Sequence, residues 1–375
     1  MGADGDPLAA EQRDGYEMAL AEANADGGPA GCPLSLVYLP EQVGGSSNQV
    51  YQAVRSLVEE QEVIAVLGGT SSNASMLAAT LINRFAVPML IPNTSSMTAL
   101  PENNFWTFRV SPNDEMYSRA VYEMVKAELG EERTVALLFE DTSAGHDAAV
   151  TAAELAGEQG MTVTQYSPLD SSQSATVIVA GWLMETPPDV LYLILNDPDQ
   201  ATELLQALSQ AADDLPLTFL QGNGFVNRAF LDSSAGLPRA RTGQMLAVTA
   251  WAAGTVEEGE ADFQAEFARF TERQYGTARP ATPHSAMAYN SLRILQMTIR
   301  SGSASWNGAT VADVAAAREA LRSDLQAYRE NTPLWGSIAF TTGGQNQAEV
   351  FIQPLNAFSV QSSLPAAQGR RACVP

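Results

Sequence analysis

The sequence predicts an α/β fold in which two units follow one another, each a mostly parallel β-sheet flanked by helices. Three observations support this prediction. Short apolar runs alternate with amphipathic stretches along the 375 residues, and this alternation is typical of parallel sheets covered on both faces. The chain is longer than one average domain, so two domains are expected. The helices predicted near the end of the chain are expected to belong to the first unit. The chain is therefore expected to pass between the two units more than once.

The elements of the first unit alternate between helix and strand. The first helix ends at the glycines of ADGGPAG, which are typical helix-ending residues. The apolar runs LSLVYL, IAVLGG and VPMLIP each have the length of a buried strand. The predicted elements are helix 14–24, strand 34–39, helix 47–60, strand 64–69, helix 72–85 and strand 87–92, and then the stretch WTFRV (106–110) precedes helix 113–129.

The second unit repeats this alternation, and its strands TVALLFED and VLYLILN are apolar on both faces. Its predicted elements are strand 134–141, a helix from about residue 145, strand 161–166, helix 174–184, strand 190–196, helix 199–212 and strand 217–222. The remaining chain predicts strand 243–251, helices 260–275, 284–300 and 311–321, and a β-ribbon that turns at Gly343–Gly344.

Charge and motifs exclude several classes of function. The formal net charge is −23, and Lys126 is the only lysine, so we expect no binding to nucleic-acid phosphates or to an anionic membrane surface. A P-loop needs a lysine after its glycines, and the GxGxxG and GxSxG patterns are missing. No apolar run reaches the ~18 residues of a membrane span. The composition is that of an ordinary globular protein.

The sequence predicts no catalytic residue, no metal site and no cofactor. Its two histidines, His146 and His284, have no ligand spacing and are expected at the surface or at helix caps. The carboxylate pairs lie in polar stretches, where solvated faces explain them better than acid–base chemistry. Cys32 and Cys373 lie near opposite ends of the chain, and they either form a disulfide in an oxidising compartment or stay two free thiols.

Two clusters of hydroxyl side chains follow two successive predicted strands. Ser71 and Ser72 come after IAVLGG at the start of a helix, where unpaired backbone N–H groups and the helix dipole favour an anion. Asn93, Thr94 and Ser95 come directly after VPMLIP. Since neighbouring parallel strands end at the same edge of a sheet, both turns are expected to converge on one carboxylate, with no lysine or arginine involved. The alternative is that one serine merely caps the helix.

In these segments the sequence resembles the type I periplasmic binding proteins, specifically the branched-chain amino acid binding family of ABC transporters. The resemblance covers nearly the whole chain, and it depends on the order and spacing of many segments rather than on one motif. Among those segments are DGYEMALAEANADGGPAG, LVEEQEVIAVLGGTSSNASMLAA, VPMLIPNTSSMTAL, WTFRVSPNDEMYSRAVYEMV, TVALLFEDTSAGHDAAV and TPHSAMAYNSLRILQMTI.

The resemblance implies a two-lobed fold with three hinge crossings that closes on a ligand in the cleft. It assigns 1–112 and 250–333 to the first lobe, and 113–249 and 334–375 to the second. On the family pattern, Ser72 corresponds to the serine that binds the ligand carboxylate. Ser95 matches a threonine that contacts carboxylate and ammonium, and Asn93 offers the neighbouring carbonyl.

The second lobe departs from the family pattern. Ala144 stands where the family often has a tyrosine, and Asn196 and Asp197 replace an aromatic residue. The acidic residue that faces the ligand ammonium in the family corresponds to a position near Asn223, where this sequence has no acid. Asp197 is expected to replace that acid, and Phe225 is expected to supply the aromatic ring that the second lobe has lost. An unmodified specificity for leucine, isoleucine and valine is therefore not expected.

We expect an exported, periplasmic or extracellular monomer that binds a small carboxylate-bearing molecule, an amino acid or a relative, and passes it to a membrane ABC permease. Its signal peptide is expected to lie outside this chain, which begins MGADGDPLAAEQRDG. A second hypothesis is a sensor of the same fold that reports its ligand to a regulator or receptor. An enzyme on a related α/β fold is the third.

Overall fold

A computed structural model of the full chain describes residues 7–25, 27–39, 47–101, 103–170, 172–210, 215–235, 245–252, 263–302, 313–332, 334–355 and 370–372. Contacts divide the chain into two compact units. Unit 1 comprises Met1–Pro112 and Glu258–Ala348, and unit 2 comprises Asn113–Glu257 and Glu349–Pro375. The predicted α/β fold with mostly parallel sheets flanked by helices is confirmed.

Unit 1 contains a small parallel sheet with helices packed on it. Its elements are α1 (Pro7–Ala25), α2 (Ser47–Arg55) continued by a π-helical turn (Ser56–Glu60), β1 (Val66–Leu67), α3 (Ser72–Phe85), β2 (Met89–Ile91), β3 (Thr107–Arg109), α9 (Phe263–Tyr275), α10 (Pro283–Ser301), α11 (Val314–Ala327), β9 (Asn331–Thr332) and β10 (Trp335–Ser337).

The three-stranded sheet has the order β1-β2-β3 and is parallel throughout. Apolar residues of α2, α3 and the strands form one buried cluster on it, which includes Val54, Ile82 and Met89. Helices α1 and α10 pack closely, because Gly15 leaves no side chain between them: a Cβ at Gly15 would lie 2.1 Å from the carbonyl oxygen of Ser285.

The prediction of a strand at 34–39 is wrong. These residues have no regular secondary structure, and no strand pairs with them in the described part of the chain. Leu34 is held by the side chain of Asn24, which bonds with its N–H and C=O groups at 2.8 Å each, and the Arg13 guanidinium lies 4.4 Å from the centre of the Tyr38 ring. An apolar run has the composition of a strand, but it becomes one only if a neighbouring strand meets its backbone groups.

Unit 2 is built on a larger sheet. Its elements are α4 (Asp114–Leu129), β4 (Thr134–Glu140), α5 (Ser143–Glu158), β5 (Thr162–Leu169), α6 (Ala175–Glu185), β6 (Val190–Ile194), α7 (Pro198–Gln210), β7 (Leu217–Gln221), α8 (Arg228–Ala235), β8 (Met245–Thr249), β11 (Val350–Pro354) and β12 (Arg370–Ala372). The strand order is β12-β11-β8-β7-β6-β4-β5.

The five strands β4 to β8 are parallel, and β11 and β12 extend the sheet in antiparallel fashion. Every residue of β6 and β8 is buried, as expected of strands covered by helices on both faces. Tyr122, Tyr192 and Phe219 belong to the core on one face of this sheet. The unit therefore presents the carboxyl ends of several adjacent strands along one edge.

The predicted turn at Gly343–Gly344 is present, and the residues on its two sides pair in antiparallel fashion, with Phe340 opposite Asn346. Gly344 has a φ of +82°, a conformation that favours glycine. After the turn, β11 pairs with β8 in unit 2. Residues 334–348 group with unit 1, whereas the sequence placed them in the second lobe. The physical reason is that Gln345 and Asn346 donate hydrogen bonds to the carbonyl groups of Ser111 and Val110.

Candidate functional site

The structure brings the two hydroxyl turns of unit 1 together. They follow β1 and β2, which are adjacent and parallel, so both turns lie at the carboxyl edge of the sheet. A buried hydrogen bond of 2.9 Å joins the hydroxyl groups of Ser75 in α3 and Thr94 in the second turn. The sequence predicted that the turns would meet, but it did not identify Ser75 as the residue that connects them.

The first turn starts α3 and leaves polar groups without partners. The hydroxyl of Ser71 caps the helix by accepting the N–H of Ala74 at 3.3 Å. Within the described residues, the N–H groups of Ser72 and Asn73 and the hydroxyl of Ser72 make no hydrogen bond. Ser71 is therefore the residue that caps the helix, and the N–H and hydroxyl groups of Ser72 remain available to donate to a ligand.

Gly69 shapes the first turn. Its φ is +90°, and a Cβ at this position would lie 1.8 Å from the hydroxyl oxygen of Ser75. The turn therefore needs glycine both for its backbone conformation and for the space that Ser75 occupies. Gln12 in α1 donates its side-chain N–H to the carbonyl of Gly69 at 3.5 Å, which places the first turns of α1 beside the carboxyl end of β1.

The second turn has one buried and one available hydroxyl. Thr94 is 1% exposed, its hydroxyl is bonded to Ser75, and its carbonyl accepts the hydroxyl of Ser111 at 3.0 Å. Asn93 donates its amide to the carbonyl of His284 at 3.2 Å. Ser95 is partly exposed, and its N–H and hydroxyl groups make no hydrogen bond within the described residues. Of the predicted hydroxyl groups, Ser72 and Ser95 are thus the ones free to bind a ligand.

A buried arginine lies beside the second turn, which corrects the expectation that no cation is involved there. Arg109 is 2% exposed and ends β3. Its guanidinium donates to the carbonyls of Ser95 and Ser96 and, at 2.5 Å, to the amide oxygen of Gln345. The charge therefore fixes the backbone of the turn. It also makes the electrostatic potential at the turn more favourable for an anion.

His284 lies in the first turn of α10, next to Asn93. The helix begins with a capping box formed by Thr282 and Ser285. The expectation of a surface position is wrong for this histidine, which is 3% exposed, and neither ring nitrogen has a hydrogen-bond partner among the described residues. Burial lowers the pKa of His284 to about 4, because charging the ring without a partner is costly in an apolar environment.

The predicted site residues of unit 2 also gather at one sheet edge. Ala144, Asn196 and Asn223 follow β4, β6 and β7, which are neighbours in the sheet. The carboxylate of Glu140 accepts the backbone N–H groups of Asn196 and Asp197, and the side-chain amide of Asn196 at 3.2 Å. The side-chain oxygen of Asn196 in turn accepts the N–H of Asn223 at 3.0 Å. Glu140 organises this loop, and no sequence pattern pointed to it.

Two residues of unit 2 have structural roles that the sequence did not predict. Asp197 is exposed, but one carboxylate oxygen accepts the N–H groups of Asp199 and Gln200 at 2.9 and 3.1 Å, at the start of α7. Phe225 is 0% exposed and packs edge-on against Phe230, with ring centroids 5.5 Å apart. Its ring therefore belongs to the core instead of replacing the missing aromatic residue.

No group of three or more His, Cys, Asp or Glu side chains in the described part of the chain is placed to hold a metal ion. No helix in this part of the chain has both the length and the apolar character to cross a membrane. Cys32 is exposed and is a free thiol among the described residues, whereas Cys373 lies outside them, so the choice between a disulfide and two free thiols stays a prediction. His146 is exposed and contacts the carboxylate of Asp141 at 2.7 Å.

Comparison with known proteins gives a family and a set of similar folds. The model of the periplasmic binding protein family matches residues 2–363. The branched-chain amino acid transporter substrate-binding protein of Streptococcus pneumoniae, solved with isoleucine, has a TM-score of 0.75 at 14% identity, and the match covers 99% of this chain and 97% of that chain.

Two further solved structures are similar. An ABC transporter substrate-binding protein of Desulfitobacterium hafniense, solved with leucine, has a TM-score of 0.69 at 20% identity, with 92% of this chain and 94% of that chain covered. A solute-binding protein of R. palustris, solved with benzoate, has a TM-score of 0.74 at 15% identity, with 98% and 91% covered. No curated protein matches the chain in sequence.

Proposed function

Because the chain belongs to the periplasmic binding protein family, we propose that it is an extracytoplasmic solute-binding protein that captures a small carboxylate-bearing molecule for an ABC importer. The observation that carries this proposal is the pair of hydroxyl turns in unit 1. They are joined by the Ser75–Thr94 hydrogen bond, and they leave the hydroxyl groups of Ser72 and Ser95 without partners among the described residues.

The chemistry of this edge suits a carboxylate. Two hydroxyl groups and the unpaired N–H groups of Ser72, Asn73 and Ser95 are donors, and the start of α3 carries the positive end of a helix dipole. Arg109 adds a positive charge beside the second turn. The ligand head group would thus bind to neutral donors, while the guanidinium is engaged with the backbone.

The ligands of the similar structures support a carboxylate as the common feature. Those proteins were solved with isoleucine, leucine and benzoate. All three molecules carry a carboxylate, but benzoate has no amino group. We propose that the carboxylate is also the part of the ligand that this chain recognises first, and that an amino group is secondary.

We propose that the loop residues of unit 2 contribute to ligand choice. Ala144, Asn196 and Asn223 lie at one sheet edge. Asn196 supplies an amide group where the related family has an aromatic residue, and Asn223 supplies one near the position of the family's acid. Amide groups favour a ligand body with polar atoms over an aliphatic one. The proposed ligand is therefore an amino acid or small carboxylate that is more polar than leucine. It is delivered by a monomer of this chain to a membrane permease.

The first experiment is a thermal-shift screen over amino acids, amides, small carboxylates and ureas. A ligand that binds only the native state raises the melting temperature by mass action. The proposal expects hits that share a carboxylate, and it expects the amide analogue of each hit to be much weaker. Hits among ureas or neutral amides alone would contradict the assignment.

The second experiment tests the two serines with the best hit. We expect Ser72→Ala with Ser95→Ala to weaken binding by about 1.5–3 kcal/mol for each lost hydrogen bond to the charged group, measured by calorimetry. The matched control is Ser209→Ala with Ser233→Ala, since both hydroxyls bond to carbonyls of their own helices in unit 2. An unchanged affinity in the first double variant would refute the carboxylate site.

A further inference from the structure

A pocket of about 610 Å³, the α10 pocket, lies in unit 1. One face of α10 lines its base, because Tyr289, Arg293 and Met297 follow one another at intervals of four residues along the helix. The start of α9 and residues 330–334 line its sides. At roughly 30 Å³ for each non-hydrogen atom, the share of a molecule in liquid water, a pocket of this size holds a ligand of about twenty such atoms.

The α10 pocket is separate from the carboxylate site proposed above. The carbonyl of His284, in the first turn of α10, accepts the side-chain amide of Asn93, so this end of the helix lies at the second hydroxyl turn. Arg293 and Arg300 lie further along the helix, by about 14 and 24 Å at ~1.5 Å per residue. A small molecule bound in the α10 pocket therefore leaves the two hydroxyl turns free.

Aromatic and aliphatic side chains provide the apolar surface of the α10 pocket. The ring of Tyr289 packs against that of Phe263, with centroids 5.0 Å apart. The hydroxyl of Tyr289 donates to the carboxylate of Glu22 at 2.7 Å, so its polar atom already has a partner. Met297 and Leu334 add aliphatic surface. The pocket therefore suits a ligand with an apolar body.

Charged side chains of both signs also line the α10 pocket. Arg300, Glu266 and Glu330 form no ion pair within the described residues. Arg293 contacts the carboxylate of Glu22 at a distance of 3.6 Å, and its Nε atom is buried without a hydrogen-bond partner among the described residues. Two arginines and two glutamates thus face the pocket, and their formal charges cancel.

We propose that the α10 pocket is a second binding site, whose ligand is a short apolar peptide with free termini. The two arginines bind its carboxylate, the two glutamates bind its ammonium group, and the rings of Phe263 and Tyr289 contact its side chains. A dipeptide such as Leu-Phe has about twenty non-hydrogen atoms, which matches the volume of the pocket.

Other classes of ligand match these charges less well. An organic anion is repelled by the two glutamates, and an organic cation by the two arginines. A neutral apolar molecule removes the charged groups from water without pairing them, which is costly. A zwitterion with an apolar body pairs both signs. This proposal does not rest on the carboxylate site of the hydroxyl turns.

The first test measures the binding of Leu-Phe by calorimetry, beside N-acetyl-Leu-Phe and Leu-Phe amide, each of which lacks one terminal charge. We expect the free peptide to bind with a Kd below about 1 mM, and each blocked peptide to bind about tenfold or more weakly. No binding of the free peptide, or equal binding of all three, would overturn the proposal.

Variants then assign the two charges. Arg300→Gln should remove the advantage of Leu-Phe over Leu-Phe amide, and Glu266→Gln should remove its advantage over N-acetyl-Leu-Phe. The matched controls are Arg269→Gln and Glu272→Gln, which change exposed residues of α9 outside the pocket and should leave both ratios as they are. If the controls change the ratios equally, the effect comes from the overall charge and the proposal is wrong.

The double variant Ser72→Ala with Ser95→Ala distinguishes the two sites. It should leave the affinity for Leu-Phe unchanged, whatever it does to a ligand of the hydroxyl turns. Loss of Leu-Phe binding in this variant would place the peptide at the turns and overturn the second site. If the variant affects no carboxylate ligand at all, the site at the turns fails while the α10 pocket is unaffected.

Discussion

Residues near the candidate site differ in whether their polar groups are already paired, and this difference separates structural from ligand-binding residues. Ser71, Ser75 and Thr94 have their hydroxyls bonded within unit 1, whereas those of Ser72 and Ser95 have no partner among the described residues. All five belong to the same kind of sequence cluster. Only the bonded hydroxyls stabilise the unliganded protein, so replacing them is expected to change stability before affinity.

Gly69→Ala is expected to destabilise the protein more than Gly27→Ala does. Both glycines have a φ of +90°, but a Cβ at Gly27 meets nothing within 4 Å, whereas one at Gly69 lies 1.8 Å from the Ser75 hydroxyl. The shared backbone strain costs about 1–2 kcal/mol. At Gly69 the Ser75 side chain must also rotate away from Thr94, which adds about 1–3 kcal/mol for a buried unpaired group. Urea unfolding of both variants gives the comparison, and equal losses would contradict it.

His284 is expected to make the protein less stable as the pH falls below 6.5. Burial lowers its pKa from 6.5 to about 4, so between these values the unfolded chain binds a proton that the folded chain does not. Stability is therefore complete above pH 6.5 and is lost progressively down to about pH 4. At pH 5 the loss from this group is about 2 kcal/mol.

The measurement is the free energy of unfolding against pH for the original chain, for His284→Phe and for His146→Gln. The His284 variant should lose less stability between pH 7 and pH 5 than the original chain does. His146 is exposed, so its variant should follow the original chain. If all three curves are parallel, the buried ring does not titrate in this range.

At the scale of secondary-structure elements, the carboxyl edge of the unit 1 sheet is held by contacts between elements that are distant in the sequence. Helix α3 bonds to the turn after β2 through Ser75 and Thr94, and β3 supports that turn through Arg109. Gln345 connects Arg109 to the chain after β10. These contacts fix the position of the serines that we propose as ligand-binding residues.

The Ser75–Thr94 contact is expected to behave as a coupled pair. Ser75→Ala alone leaves the buried Thr94 hydroxyl without its partner and should cost about 1–3 kcal/mol. Adding Thr94→Val, which keeps the shape of the side chain, should cost little more, because both polar groups are then gone. A double-mutant cycle by urea unfolding measures the coupling energy. Additive losses would show that the hydrogen bond does not join the turn to the helix.

At the scale of the whole molecule, the dominant feature is charge. The chain has 43 acidic and 20 basic residues, with a formal net charge of −23. The ion pairs of the described residues lie mostly on exposed side chains, as in Arg55–Glu59 and Lys126–Glu131, where each pair contributes little. Repulsion among the excess carboxylates therefore opposes folding more than these pairs support it.

Added salt is expected to raise the melting temperature. The Debye length, over which charges act on one another, falls from about 30 Å at 0.01 M salt to about 3 Å at 1 M salt. An increase from 0.01 to 0.5 M sodium chloride should therefore raise the melting temperature by several degrees. Choline chloride should have the same effect, because screening depends on ionic strength and not on the cation. A flat or falling melting temperature would contradict this view, and a rise with sodium alone would indicate specific cation binding.

The sequence by itself determined the α/β alternation, the buried strands of unit 2 and the two hydroxyl turns, because these features follow from local periodicity and from glycine or serine at strand ends. Residues 190–194 illustrate this, since every side chain is apolar or aromatic and the segment is a fully buried strand. Glycine at 69 and at 344 likewise predicts a turn where the structure has a positive φ.

Only the tertiary structure decided which groups are paired. Arg109 beside Ser95, Glu140 under Asn196, the burial of His284 and the place of Phe225 in the core all depend on residues that are far apart in the sequence. Residues 34–39 show the same limit, because a strand needs a partner and no local pattern supplies one. Hydrogen bonding and burial are properties of the assembled neighbourhood, so the composition of a segment cannot fix them.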